Sequence, residues 1–389
     1  MRMQAGLFAY ISYQGKSEIE ETSEQDRSIC KVKKRGYLWW MKCLILLECV
    51  LLMVVLLGGA WNQGEEQDDY LYTSGAVDEE LKINWVDFDV SYEALCMAYD
   101  WDVKTYGQDI HLNWIELLAY LGTKYGGDFD CHSKSLAKDM DELVDKLTGG
   151  KCTMEELTEG MKYYDYYLEA YGAVLSGMVG EYEVEAEEGW KKCYGLKAFS
   201  PVAKGFYYEH YDDFGAGRSY GYDRKHLGHD MMGQTGTPIM AIESGTVEAL
   251  GWNQYGGWRI GIRSFDGKRY YYYAHLRQNY PYAEWLEEGS IVTAGDVIGY
   301  MGRTGYSPEE NVNNIEVTHL HWGLELIFNE ERREQGYEVW VDVYALTQFL
   351  YKNRCEAYKV EGTKEWKRVW EVKDPAVEIL TEENTRRED

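Results

Sequence analysis

Residues 224–324 constrain this chain more than any other stretch. They hold five of its eight histidines. These fall in three separate motifs: His226-Leu227-Gly228-His229-Asp230, then the run Tyr270-Tyr271-Tyr272-Tyr273-Ala274-His275, then Thr318-His319-Leu320-His321. Short β-forming segments broken by glycine turns, such as Gly251, Gly256-Gly257 and Gly267, predict an antiparallel sheet that forms a groove. Asp266-Gly267 is a hairpin signal between Trp258–Ser264 and Lys268–Ala274.

A strand reading gives the histidines a chemical meaning. Side chains at i and i+2 of a strand share a face. His319 and His321 then face the same point. His226 and Asp230 share a face if their segment is one strand, with Gly228 between them to admit a close neighbour. Imidazole and carboxylate at short spacing suit a borderline-soft cation. His226, Asp230 and His321 can supply three ligands, leaving a fourth position for water. His275 ends a β-forming run and can lean over that point from a neighbouring strand. His229 points to the opposite face and reads as structural. The competing view is that each histidine is a core or surface residue and the i, i+2 pair a coincidence. The convergence of three motifs weighs against it.

These residues resemble the lysostaphin/LytM-type zinc metallopeptidases, which cut peptide cross-links in bacterial peptidoglycan. That family's H-x-x-x-D, later histidine and H-x-H motifs are all present. So are its G-T-P strand, here from Gly236-Thr237-Pro238 to Val247, and its glycine-rich segment, here Val292 to Gly305. The resemblance covers about a quarter of the chain. It implies one Zn2+ per chain, held by His226, Asp230 and His321. It implies that His319 and His275 position or activate the water and stabilise the transition state. It implies peptidoglycan stem peptides or cross-bridges as substrate. One departure is an insertion, Pro308 to Thr318, carrying Asn311, Asn313 and Asn314. It is expected beside the groove, where it can reshape substrate choice.

The whole chain is expected to be an α+β multidomain protein. Residues 1–36 are polar and end in Lys31, Lys33, Lys34 and Arg35; they are expected to be a cytoplasmic tail. Residues 43–60 form an apolar run broken only by Glu48, with aromatics on both sides. Eighteen residues just span a bilayer core. The expectation is an N-terminal transmembrane helix over 37–61. The flanking basic residues would then leave the N-terminus cytoplasmic and the catalytic domain extracellular, in a single-pass cell-membrane protein. A signal peptide cleaved after Gly58-Gly59-Ala60 is the competing reading. Residues 62–82 are acidic and read as a linker.

Residues 83–185 read as a helical module of four helices. Leu136, Met140, Leu143 and Leu147 recur at helical spacing. Thr153 with Glu156 is a capping box that opens a helix running to Leu175. The stretch Asn113–Tyr120, followed by Gly126-Gly127, more weakly resembles modules attached to wall hydrolases of Gram-positive conjugative elements. That likeness implies local wall opening during conjugative transfer, with the module docking to envelope or secretion-complex proteins. Residues 190–350 are assigned to the β-rich zinc peptidase domain, with Pro201–Tyr222 as a loop over the site. Residues 351–389 are a C-terminal extension, with a short helix at Trp340–Tyr351 before it and a disordered acidic tail after Asp374.

A net charge of −27 excludes nucleic acid as a partner. None of the eight cysteines has C-x-x-C spacing. Cys131 and Cys152 flank one helix and can either bridge or stay free. The alternative to an enzyme is a structural part of an envelope-spanning complex that uses the peptidase fold for docking. The complete set of motif residues favours the enzyme.

Overall fold

The computed structural model describes residues 83–86, 88–220 and 222–388. All belong to one unit, Asp69–Asp389. Its centre is a nine-stranded sheet. Strand His319–Leu326 lies in the middle, antiparallel to Arg269–Ala274 on one side. Its other edge is shared. His229–Met232 pairs with its first half and Glu338–Val341 with its second. Beyond Arg269–Ala274 come Gly257–Ser264, Gly245–Asn253 and the short Ile291–Val292. The antiparallel-β reading therefore stands, and the Asp266-Gly267 turn joins the two strands expected.

Alternation divides the sheet into two faces. Tyr271, Tyr273, Leu320, Trp322, Leu324, Ile260 and Ile262 point into a continuous hydrophobic core. Burial of such side chains stabilises by roughly 1.5–3 kcal/mol each. Tyr270, Tyr272, His321, Glu325 and Arg259 point to the other face and line a groove.

The same core runs into the helices, through Leu95, Leu117, Leu121, Met140 and Leu175. Residues 92–175 form five α-helices: Tyr92–Thr105, Trp114–Tyr125, Ser133–Thr148, Met154–Thr158 and Tyr164–Leu175. Local sequence explains their ends. Ser91 and Asn113 cap the first two helices with side-chain oxygens. The Thr153/Glu156 capping box forms as expected. The single helix expected from Thr153 to Leu175 is instead broken. Gly160 has φ +80°, which an α-helix does not tolerate and glycine adopts at little cost. The short helix stops at Thr158 and a new one starts at Tyr164.

Several expectations beyond the helices are corrected. Glu338–Val341, with Trp340 in it, is a strand, and the helix there is only Tyr344–Leu350. That strand also takes Ile83–Val86 as a parallel neighbour. Pro201–Tyr222 is not one loop, because Glu209–Tyr211 pairs with His229–Met232 and Gly217–Tyr220 with Tyr222–Lys225. The tail after Asp374 is the helix Pro375–Glu388. Proline suits a first helical turn, and Asp374 accepts from the Ala376 N–H at 3.1 Å. Cys96, Cys131, Cys152, Cys193 and Cys355 are free thiols.

The single-pass membrane expectation is corrected as well. Among the described residues no helix is long and apolar enough to cross a membrane. The longest of the helical stretch, Ser133–Thr148, has 16 residues. That is about 24 Å of helix against about 30 Å of hydrocarbon. Residues 37–61, on which the expectation rested, lie outside the described residues.

Candidate metal centre

The groove ends at a cluster of buried polar side chains. His321 lies on the central strand, opposite Asp230 on His229–Met232 and Ala274 on Arg269–Ala274. His226 sits just before its strand rather than on it. The residues of the first motif therefore meet through a turn, not through shared strand parity. Gly228 permits the turn. A Cβ there would lie 2.6 Å from His321 Cε1 and 2.7 Å from the Trp322 carbonyl.

Three atoms converge. His226 Nε2 is 3.0 Å from Asp230 Oδ1 and 2.9 Å from His321 Nδ1, and His321 Nδ1 is 2.9 Å from Asp230 Oδ1. All three side chains are largely shielded from solvent. Among the described residues this trio is the one group placed to hold a metal ion. The donor set fits zinc: two imidazole nitrogens, one carboxylate oxygen and an open side toward the groove. A tetrahedral ion needs ligand atoms about 3.3 Å apart, so an outward shift of a few tenths of an ångström suffices.

A second layer, not anticipated from the sequence, orients this trio. Asp213 Oδ1 lies 2.8 Å from His226 Nδ1, which aims Nε2 at the cluster. Arg218 pairs with Asp213 and stands 3.6 Å from the outer oxygen of Asp230. Burial works against a charged His226, but Asp213 and Asp230 outweigh it and raise its pKa to about 9. Burial also opposes ionisation of Asp230, yet His226 and His321 hold its carboxyl far below the usual range. No spacing rule links Asp213 to His226, so this carboxylate was legible only once the chain had folded.

His275 and His319 stand beside the trio. Their ring centroids are 4.7 Å apart, and that of His275 is 5.8 Å from His321. His319 Nε2 is 3.8 Å from Asp230 Oδ1. Each Nδ1 meets a backbone carbonyl: Val317 at 2.8 Å for His319, Thr304 at 3.0 Å for His275. A carbonyl only accepts, so each Nδ1 carries the proton and each Nε2 keeps a lone pair. Burial, then His319 and His321, push the His275 pKa well below its ordinary value. His275 has φ +62°, rare for a residue with a Cβ. Such strain clusters at functional sites. His229 faces away, its Nε2 2.8 Å from His210 Nδ1.

The insertion is stitched to the groove rim. Asn311 Oδ1 accepts from Trp258 Nε1 at 2.9 Å and from the Asn279 N–H at 2.8 Å. Asn314 Nδ2 donates to the Tyr306 carbonyl, and Tyr306 lines the cavity.

Fold and site together define a metallopeptidase domain built on an antiparallel sheet. Comparison with known proteins agrees. Residues 224–334 match the model of peptidase family M23. The match covers less than a third of the chain, and over these residues the chain is similar to that family, of LytM/lysostaphin type. It is 33% identical over 147 residues to the L-Ala–D-Glu endopeptidase of Bacillus subtilis, covering 38% of this chain and 43% of that one. It is 35% identical over 94 residues to the glycyl-glycine endopeptidase ALE-1 of Staphylococcus capitis, covering 24% and 25%. The chain thus spans less than half the length of either relative. A solved LytM structure from Ruminococcus gnavus is similar over 69% of this chain and 90% of that one, with 23% identity and a TM-score of 0.45.

Proposed function

We propose that this chain is a zinc-dependent endopeptidase acting on peptide bonds of bacterial peptidoglycan. The observation that carries the reading is the convergence of His226 Nε2, Asp230 Oδ1 and His321 Nδ1 beside two imidazoles with free Nε2 lone pairs. The names of the relatives, an L-Ala–D-Glu and a glycyl-glycine endopeptidase, support the substrate class.

A zinc ion held by His226, Asp230 and His321 would supply Lewis acidity toward a carbonyl and a water of lowered pKa. The chain's own residues do the rest. His319 Nε2 is the base that takes the proton of the attacking water, its ring fixed by the Val317 carbonyl. His275 is neutral with its Nδ1–H engaged, so Nε2 is an acceptor. It orients the water first, and stabilises the oxyanion only once protonated. The Asp213–Arg218 pair keeps His226 and Asp230 aimed at one point. The groove beside them holds the peptide in reach. Conjugative transfer and docking to envelope proteins rest on sequence resemblance alone, not on the site.

The test is mass spectrometry of fragments released from purified peptidoglycan, with zinc content measured in parallel. His319→Ala is expected to keep zinc and lose roughly 100- to 10,000-fold in rate. A His319→Ala protein as active as the native one would sink the assignment of the base.

A further inference from the structure

The groove extends from the histidine cluster into a cavity of about 430 Å3. Three arginines line it, and they differ in one respect. Arg333 is neutralised: its Nε donates to Glu325 at 3.0 Å and its Nη1 to Glu248 at 2.9 Å. Among the described residues no carboxylate pairs with Arg224 or Arg259. The Nε atom of each is buried and has no hydrogen-bond partner. A buried charged donor left unpaired is costly, so the arrangement is one that an incoming acceptor completes. It is the more telling in a chain of net charge −27.

Both arginines line the same cavity. Arg259 leaves the sheet on the groove face, at the strand next to Arg269–Ala274. Arg224 lies over the rings of Tyr255 and Tyr306, with its Cζ 5.1 Å from each centroid. Tyr272 lines the same cavity as both arginines. The Tyr272 ring in turn meets the edge of His321, with centroids 6.0 Å apart. Both arginines thus share one cavity with the candidate metal trio. Glu338, the cavity's remaining acid, is taken up by the Trp340 indole N–H at 2.8 Å.

We infer that Arg224 and Arg259 form a subsite for a carboxylate carried by the substrate next to the bond that is cut. The inference rests on the peptidase reading and narrows its substrate. A guanidinium fork matches a carboxylate and not a neutral amide. A glycine bridge offers no carboxylate at that place. A γ-linked glutamate in a stem peptide does, because its α-carboxyl stays free beside its own amide nitrogen. The subsite thus selects the stem peptide over the glycine bridge.

The experiment uses the full chain with three peptides: N-acetyl-L-alanyl-γ-D-glutamyl-L-lysine amide, its α-carboxamide analogue and pentaglycine. Cleavage is followed by mass spectrometry, and binding of the two glutamyl peptides by calorimetry. The native protein is expected to prefer the carboxylate peptide over the carboxamide by roughly tenfold or more in both. Arg259→Gln and Arg224→Gln are expected to bring that ratio toward one, while Arg259→Lys keeps part of it. Equal binding and cleavage of the two glutamyl peptides by the native protein overturns the subsite but leaves the peptidase. An arginine-dependent binding preference without cleavage of any peptide keeps the subsite and overturns the peptidase. Cleavage of pentaglycine in preference to both glutamyl peptides overturns the subsite, and so does a ratio that survives both glutamine variants.

Discussion

Two buried charge clusters sit on the same sheet and are built in opposite ways. On the core side, Arg269 meets Glu243 through two hydrogen bonds, Nε at 2.9 Å and Nη2 at 3.1 Å. Its Nη1 donates to the Ala173 carbonyl of the last helix in 92–175, and Nη2 also donates to Asp266. Tyr271 donates to Glu243 at 2.6 Å. Donors and acceptors match, and the cluster locks helix to sheet. On the groove side, two imidazoles and a carboxylate crowd three potential ligand atoms into one place. The first cluster is complete as protein. The second is the group placed to hold a metal ion among the described residues. Burial and charge alone do not mark a functional site; a surplus of acceptors aimed at one point does.

The largest effect expected comes from the incomplete cluster. His321→Ala should abolish zinc binding and lower activity by at least about a thousandfold, while leaving the thermal transition of the metal-free protein nearly unchanged. Metal analysis and calorimetry check this. A zinc-replete, active His321→Ala protein would break the contrast at once.

The complete cluster should behave in reverse. Arg269→Met leaves the Glu243 charge buried without its partner, and should cost about 3–5 kcal/mol in denaturant unfolding. Zinc stoichiometry of the folded fraction should stay at the native level. Loss of zinc with stability intact would show that the two clusters are one functional unit.

Acid titration probes the histidine that faces away from the trio. Burial, with His210, depresses the His229 pKa to about 3. Below about pH 6.5 the unfolded chain takes up a proton that the folded one refuses. The stability this residue contributes is therefore full above pH 6.5 and lost as pH falls toward 3, by a few kcal/mol. His229→Gln should flatten that part of the stability profile. An unchanged slope would assign the acid sensitivity to other groups.

The smallest effect should come from the half-exposed arm of the complete cluster. Asp266→Asn keeps the turn chemistry and removes one screened charge from Arg269. It should cost about 1 kcal/mol or less. A loss as large as that of Arg269→Met would mean the Glu243 pair does not dominate.

The difference between the clusters also explains what could be read in advance. The groove residues are legible because their spacing is short and their chemistry unusual: His319 and His321 two apart, His226 and Asp230 four apart. The Asp266-Gly267 turn and the Leu136, Met140, Leu143, Leu147 stripe are legible because turn type and helix period are local. The Arg269–Glu243 pair is invisible, since 26 residues and two strands separate its members. Asp213 behind His226 is invisible for the same reason. The helix break at Gly160 was missed because an apolar stripe continued through it while one backbone angle did not.

By itself, then, the sequence determined the central hairpin, most helices of 92–175 and the identity of the side chains able to meet at a metal, because those depend on residues close together in the chain. Only the tertiary structure decided that Ile83–Val86 closes the sheet beside Glu338–Val341, and that helices and sheet share one core. It also decided that Arg224 and Arg259 line the groove with Nε atoms that have no hydrogen-bond partner among the described residues. Those outcomes depend on which distant groups are brought together and which are left unpaired, and free energy settles that over the whole fold rather than along any one segment.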